Sequence, residues 1–248
     1  MTILQSMSDD GILEITMDNP PVNALNINDT FELATIFNEV AQNNEVKVAI
    51  LTATGKGFCA GVDIKEIQAL SGNAGILDVN QACYDAFAAI YECAVPVIVA
   101  VNDFCLGTGI GLAGSADIVI AAEQAQFGLP EVDNGALGAL THLQRLVPQQ
   151  RARQMLYTCE TADAEELAKY GSILHVVPLA DLLKSARSLA QRIAEKPDRT
   201  IRAAKRSANG IEILDIRNSY RYEQGFTFEL NLAGEGDKAR QAFIDGQR

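Results

Sequence analysis

Two stretches of the chain carry an apolar run into a glycine-bearing loop and on into a helix. They are Gly55–Glu66, reading GKGFCAGVDIKE, and Val97–Thr108, reading VIVAVNDFCLGT. The first N–H groups of a helix have no acceptor within it. Two such turns brought face to face would aim fixed donors at one oxygen, which is how an oxyanion is held. A second candidate lies just beyond. Gly109-Ile-Gly111-Leu-Ala-Gly114 spells G-x-G-x-x-G, the phosphate-binding turn of dinucleotide enzymes. Its context is poor. Residues Asn102–Thr108 separate it from the strand it should follow at once, and Glu123 only weakly meets the acid expected further on. A helix packing tightly through Gly109, Gly111, Ala113 and Gly114 is the better reading of the same residues.

Other chemistries find less support. The five cysteines (Cys59, Cys83, Cys93, Cys105 and Cys159) are odd in number and lack C-x-x-C spacing, so neither a disulfide framework nor a zinc site is expected. His142 and His175 form no ligand spacing with each other or with a cysteine, and no metal is expected. A net charge of −12 argues against nucleic acid as the main partner. An anionic ligand must then be held locally, by lysines, arginines and backbone N–H groups, against the overall field.

The elements that must position these loops follow from the pattern. With 248 residues, 48% of them apolar and 21% charged, the chain is read as a soluble globular protein with a substantial core. No apolar run approaches the roughly 18–20 residues that span a bilayer. The N-terminus, MTILQSMSDD, has neither a basic nor an apolar signal region, so a cytoplasmic location is expected. Apolar residues around Asp10-Gly11 predict a β-hairpin, ended by Asn19-Pro20-Pro21. Asn28 or Asp29 is placed to cap a helix through Phe31, Leu33, Ala34, Phe37, Val40 and Ala41. Val46–Leu51, Val97–Val101 and Ile118–Ala122 read as buried strands, with a short strand at Ala125–Phe127. A short helix starts at Asp63. Gly75–Cys93 reads as a helix with Leu77, Ala82, Ala86, Phe87 and Ile90 on one side. Pro148 is expected at the first position of a helix through Tyr157, and Thr161 or Asp163 caps the next, which Gly171 ends. Ile173–Val177 is a last strand, and helices fill the remainder. Strands alternating with helices predict an α/β fold with mostly parallel pairing. The helical tail is too thin for a core of its own, so it packs on the body of the chain or on a neighbouring subunit.

Four segments, in order, resemble the signature segments of the crotonase family, the enoyl-CoA hydratases and isomerases. They are PPVNALN (Pro20–Asn26), GKGFCAGVDIKE, AVPVIVAVN (Ala94–Asn102) and AQFGLPEVDNGALG followed by QRL (Ala125–Leu146). With the tail, the resemblance covers essentially the whole chain. It implies a spiral of ββα units over residues 1–180. It also implies a helical C-terminal region, residues 181–248, used in trimerisation, and a homotrimer or dimer of trimers. The implied substrate is an acyl-CoA thioester, with coenzyme A present only as part of that substrate. The thioester oxygen would lie between the N–H groups of Val62 and Thr108. Losing such a donor costs on the order of 3–4 kcal/mol of barrier. The resemblance also places the coenzyme against Ala24, Ala60, Gly61, Asp63, Ile64, Lys65 and Gly107, with Lys56 and Lys65 as candidates for its phosphates. Taken alone, the lysines read as solvated surface residues and Asp63 as a helix cap.

The family's hydratases work one water with two glutamates. Here one position holds Glu131 and the other holds Gly111. A single glutamate suits double-bond isomerases or carbon–carbon bond hydrolases better than hydration, which wants two proton-transfer groups. Asp103 and Thr108 stand where the family usually has glycine. Three further segments, Tyr91–Val119, Phe127–Pro148 and Ser219–Gly234, resemble the family's hydrolases of bacterial steroid breakdown, which open a ring of a bicyclic β-diketone thioester derived from rings C and D. On that reading Glu131 is the general base, and the vacant position at Gly111 makes room for fused rings. Tyr84, Asp103, Asp133 and His142 are possible supporting groups. Each also has a plain structural reading: a half-buried helix aromatic, a solvent-facing acid, a turn former and a helix residue bonded to backbone. The alternatives are an enoyl-CoA hydratase or isomerase of fatty-acid metabolism, a non-catalytic CoA-ester-binding paralogue and, last, an NAD enzyme.

Overall fold

The computed structural model describes residues 2–70 and 74–247. Strands β1 (Thr2–Met7) and β2 (Ile12–Asp18) form the expected hairpin, with Gly11 in the left-handed conformation at its turn. Helix α1 (Ile27–Val40) follows and buries Leu33, Ala34, Phe37 and Val40. Its cap is Asn26, not Asn28 or Asp29: the Asn26 side chain accepts from Asp29 N–H at 2.8 Å. The helix therefore begins before its first apolar repeat.

From there the chain winds in repeating units, each giving a strand to one sheet and a short strand to a second. The first has β3 (Val48–Ala53), β4 (Gly57–Cys59), α2 (Ile64–Ala69) and α3 (Ala74–Tyr91). The second has β5 (Val97–Val101), β6 (Phe104–Leu106) and α4 (Thr108–Ser115). The third has β7 (Ile118–Ala122), β8 (Gln126–Gly128), α5 (Leu140–Gln144) and α6 (Gln149–Thr158). A last turn carries β9 (Ala162–Asp163), α7 (Ala164–Lys169) and β10 (Ile173–Val177). The larger sheet runs β1-β2-β3-β5-β7-β10 and is parallel apart from the hairpin. The smaller runs β4-β6-β8-β9. The short strands β4, β6 and β9 escaped sequence reading because two or three residues show no alternation. Pro148 is the N-cap of α6, one position before the one expected. Asp163 caps α7 by accepting from Glu166 N–H at 2.7 Å.

The tail comprises α8 (Leu182–Ala194), α9 (Asp198–Ile211), α10 (Ile216–Leu232) and α11 (Glu235–Ile244). Leu182, Ala186, Ala190 and Ala194 recur every fourth residue and pack on Val48, Ile50, Ile98, Ala100, Ile120 and Ala122 of the large sheet. Small residues let α8 lie close to the strands. Helices α10 and α11 fold back over α3, α5 and α2. The tail thus completes the core of its own chain. Among the described residues no helix is long and apolar enough to cross a membrane.

Helix α3 buries Ala82, Ala86, Phe87 and Ile90 as expected, and departs from the expected face at its start. Leu77 is half exposed, while Ile76 and Asn80 are buried. The spacing Ile76, Asn80, Cys83, Phe87 makes one stripe of this helix, and that stripe faces the cavity described next.

Candidate active site

The two glycine loops meet. Gly61 sits at φ +104° and Gly107 at φ +56°, conformations that residues with a side chain rarely adopt. A Cβ on Gly61 would lie 4.0 Å from Thr108 N, and one on Gly107 would lie 3.4 Å from Gly61 Cα. Each turn is pinned by its neighbours. Leu25 N–H donates to Gly61 O at 2.9 Å and Asp63 N–H to Leu25 O at 2.8 Å. These bonds leave Val62 N–H facing away from the bridge. Asp63 caps α2, accepting from Lys65 and Glu66 N–H. Gly107 N–H donates to Gly128 O at 3.1 Å, and Thr108 opens α4. Val62 N–H and Thr108 N–H have no acceptor among the described residues. They are two preset donors at the edge of one cavity.

That cavity holds about 840 Å³ of empty space, its open mouth included. Ala60, Gly61, Val62, Ile64, Gly107, Thr108 and Glu131 line it, as the sequence reading expected. Glu131 follows β8 in a turn whose carbonyl accepts from Asn134 and Ala136 N–H, both at 2.9 Å. A Cβ on Gly107 would lie 2.7 Å from Glu131 Oε1, so a side chain there would displace the carboxylate. Glu131 Oε2 is buried without a hydrogen-bond partner. Burial, and to a lesser degree the charge of Glu223, push the Glu131 carboxyl up to about 8. An acid in that range can both take and return a proton near neutral pH.

Gly111 corrects an expectation. A Cβ there would stand 2.0 Å from the Phe87 ring. The vacancy left by a missing glutamate is filled by Phe87 and gives no room to a ligand. The other fingerprint glycines also serve packing: a Cβ on Gly109 would meet Cys59 O at 3.0 Å, and one on Gly114 would meet His142 O at 2.5 Å. The dinucleotide reading falls with them.

None of the four possible supporting residues lines the cavity. His142 is fully buried behind Phe87 and Tyr220, with ring centroids 4.9 and 5.5 Å away. Neither ring nitrogen has a partner, so it is not bonded to backbone. Burial and Arg145 push it down to about 3, and it stays neutral. Tyr84 faces α10: its hydroxyl accepts from Arg217 Nε at 2.9 Å, and the Arg221 guanidinium lies 3.7 Å above its ring. Asp133 is exposed, Asp103 lies in the turn between β5 and β6, and neither lines the cavity. Ala24 precedes Leu25, which pairs with Val62 of the first turn; its carbonyl accepts from Asn19 Nδ2 at 2.7 Å, and it does not line the cavity. Lys56 and Lys65 are exposed, and neither forms an ion pair among the described residues. Cys59, Cys83 and Cys105 are free thiols that burial pushes up, so none supplies a thiolate.

Sequence reading missed the other wall. Asn80, Cys83 and Phe87 of α3, Tyr220, Thr227 and Asn231 of α10, and Arg240 of α11 all line the cavity. The one local signal was Asn80, a polar residue on an otherwise apolar helical stripe.

A family model described as enoyl-CoA hydratase/isomerase matches residues 7–230. The chain belongs to that family, the crotonases. It is 51% identical over 245 residues to a (7aS)-7a-methyl-1,5-dioxo-2,3,5,6,7,7a-hexahydro-1H-indene-carboxyl-CoA hydrolase of Rhodococcus jostii, covering 99% of this chain and 95% of that one. A protein of the same name from Mycobacterium tuberculosis is 50% identical, with 98% and 99% covered. A solved enoyl-CoA hydratase/isomerase from Xanthobacter autotrophicus superposes with a TM-score of 0.88 at 25% identity, covering 98% of this chain and 91% of that one. The crotonase architecture is therefore that of this chain, and its relatives include proteins named as dioxo-hexahydroindene-carboxyl-CoA hydrolases.

Proposed function

We propose that the protein hydrolyses a carbon–carbon bond in a ring of a dioxo-hexahydroindene-carboxyl-CoA thioester, a step of steroid ring C/D breakdown. The observation that carries this reading is the single carboxylate on the cavity lining, Glu131, beside two free N–H donors, with a phenyl ring packed at the position of a second acid. The relatives' names support the choice of acyl group.

The chemistry follows from the groups present. Glu131 takes a proton from water, and the water oxygen bonds to a ring ketone carbon. The tetrahedral oxyanion collapses and the ring carbon–carbon bond breaks. The electron pair stays on a carbon conjugated with the thioester, whose oxygen is stabilised by Val62 and Thr108 N–H. Protonated Glu131 returns the proton to that carbon. One water is added, and the ketone becomes a carboxylic acid that ionises in solvent. The thioester remains intact. Lys56 and Lys65, exposed next to the first turn, would meet the coenzyme phosphates. The chain would assemble as a homotrimer or dimer of trimers, a reading favoured by the largely exposed Ile213, Tyr222 and Leu232 of the tail.

Replacing Glu131 by Gln tests the reading. Turnover of the dioxo-indene thioester is expected to fall at least about a hundredfold while binding of the CoA ester persists. In the wild type, kcat/KM is expected to rise about tenfold per pH unit and to level near pH 8, because the base is the deprotonated form of a carboxyl raised to about 8. Undiminished turnover in Glu131→Gln would remove Glu131 from the mechanism.

A further inference from the structure

Arg240 is a cation in a cavity that a fatty acyl chain would not require to be charged. Glu131 and Arg240 are the two charged side chains on its lining. Arg240 is buried, and its bonds hold the guanidinium in one place. Nε donates to Gln68 Oε1 of α2 at 3.2 Å, Nη1 to Asn231 Oδ1 of α10 at 3.0 Å, and Nη2 to Asp237 of its own helix. Asn231 is itself oriented, since its Nδ2 donates to Thr227 O at 2.8 Å. Packing is close enough that a Cβ on Gly236 would lie 2.6 Å from Asn231 Oδ1 and 2.9 Å from Arg240 Nη1.

Among the described residues the one carboxylate paired with Arg240 is Asp237, whose side chain is 72% exposed. Water screens that partner, so the guanidinium keeps much of its field on the cavity side. Three of its five N–H donors are used. A second donor stands on the same lining. Asn80 is only 8% exposed, and its Nδ2 has no partner. Buried donors without acceptors are costly unless a ligand satisfies them. Gln224 Nε2 of α10 donates to the backbone carbonyl of Asn80 at 2.6 Å, which ties α10 to α3 at this point.

Ring opening creates a charge that the substrate lacks: the attacked ketone leaves as a carboxylate. We propose that Arg240, oriented by Asn231 and Gln68 and assisted by Asn80, is a specificity residue that binds an acyl-borne carboxylate or carbonyl oxygen remote from the thioester. This rests on the ring-opening reading for its natural ligand, but its test requires no turnover. Arg240 thereby selects acyl groups that carry a second oxygen function and holds the carboxylate product.

The experiment is calorimetric titration of two matched series: succinyl-, glutaryl- and adipoyl-CoA against butyryl-, pentanoyl- and hexanoyl-CoA. In the wild-type protein at least one dicarboxylic ester is expected to bind roughly 10–100-fold tighter than its monocarboxylic match, the worth of a charge-assisted hydrogen bond. Arg240→Met should erase that preference and keep hexanoyl-CoA affinity, which also reports that the variant is folded. Arg240→Lys should restore part of the preference, and Asn80→Leu should weaken it less than Arg240→Met does. A wild type with no preference in any pair, or a preference that survives in Arg240→Met, would overturn the proposal. Failure of the ring-opening reading would show separately, as absent turnover of the dioxo-indene thioester alongside an intact preference.

Discussion

The floor and the roof of the cavity are built from different kinds of bond. The floor, at residues 60–62, 107–108 and 130–131, is backbone: two positive-φ glycines, two N–H groups without acceptors and a carboxylate with one orphaned oxygen. The roof, on α10 and α11, is made of side chains bonded to other side chains and to backbone, and most of its groups are paired. Two buried glutamates sharpen the contrast. Burial pushes both up, Glu131 to about 8 and Glu223 to about 7. Both oxygens of Glu223 accept from Leu140 N–H, at 3.3 and 3.0 Å, so it ties α10 to the start of α5. Glu131 Oε2 has nothing to bond. A buried polar group left unsatisfied in a native fold asks for an explanation, and here the explanation is chemistry.

The comparison breaks first at the floor. Thr108→Pro removes one donor at the first position of α4, where proline suits a helix. A fall in kcat of about 100–1,000-fold is expected with the helix preserved, measured by steady-state turnover and circular dichroism. A near-normal kcat would mean that Thr108 N–H does not touch the reacting oxygen.

Between floor and roof stands Phe87. Gly111→Glu would drive a side chain into that ring and is expected to cost about 1–3 kcal/mol in denaturant melts. Adding Phe87→Ala should recover part of the loss and bring out measurable crotonyl-CoA hydration, since a second acid would then face the cavity. Hydration absent from a folded double variant would show that position 111 does not control the choice of reaction.

The outer side of α3, where Tyr84 meets α10, is expected to respond least. Tyr84→Phe loses the bond from Arg217 Nε but keeps both guanidinium contacts to the ring. Stability should drop by only about 0.5–1 kcal/mol with kcat unchanged. A large fall in kcat would move Tyr84 into the active site.

The floor was legible in sequence because local rules produce it. Gly61, Gly107 and the cap at Asp63 announce loop-to-helix turns, and the strands before them are apolar and β-branched. Glu131 and the two donor positions came from the family resemblance rather than from spacing, and geometry then brought them together. The roof was not legible. Whether Tyr220, Asn231 or Arg240 reaches the cavity depends on how α10 and α11 cross α3, and no short-range pattern encodes a crossing. The same limit explains Tyr84 and His142: one residue looks outward to α10 and the other inward to an aromatic cluster, although both sit on helices of the right region. At Gly111 the absence of a side chain was read as space, because its filler, Phe87, lies 24 residues away in sequence.

Product analysis in heavy-oxygen water tests the central claim most directly. Mass spectrometry after turnover of the dioxo-indene thioester should find the CoA ester intact, one water added and a single heavy oxygen in the newly formed carboxylate. Free CoA thiol with the label in the carboxylate released from it, or a product with no added water, would contradict carbon–carbon hydrolysis by Glu131.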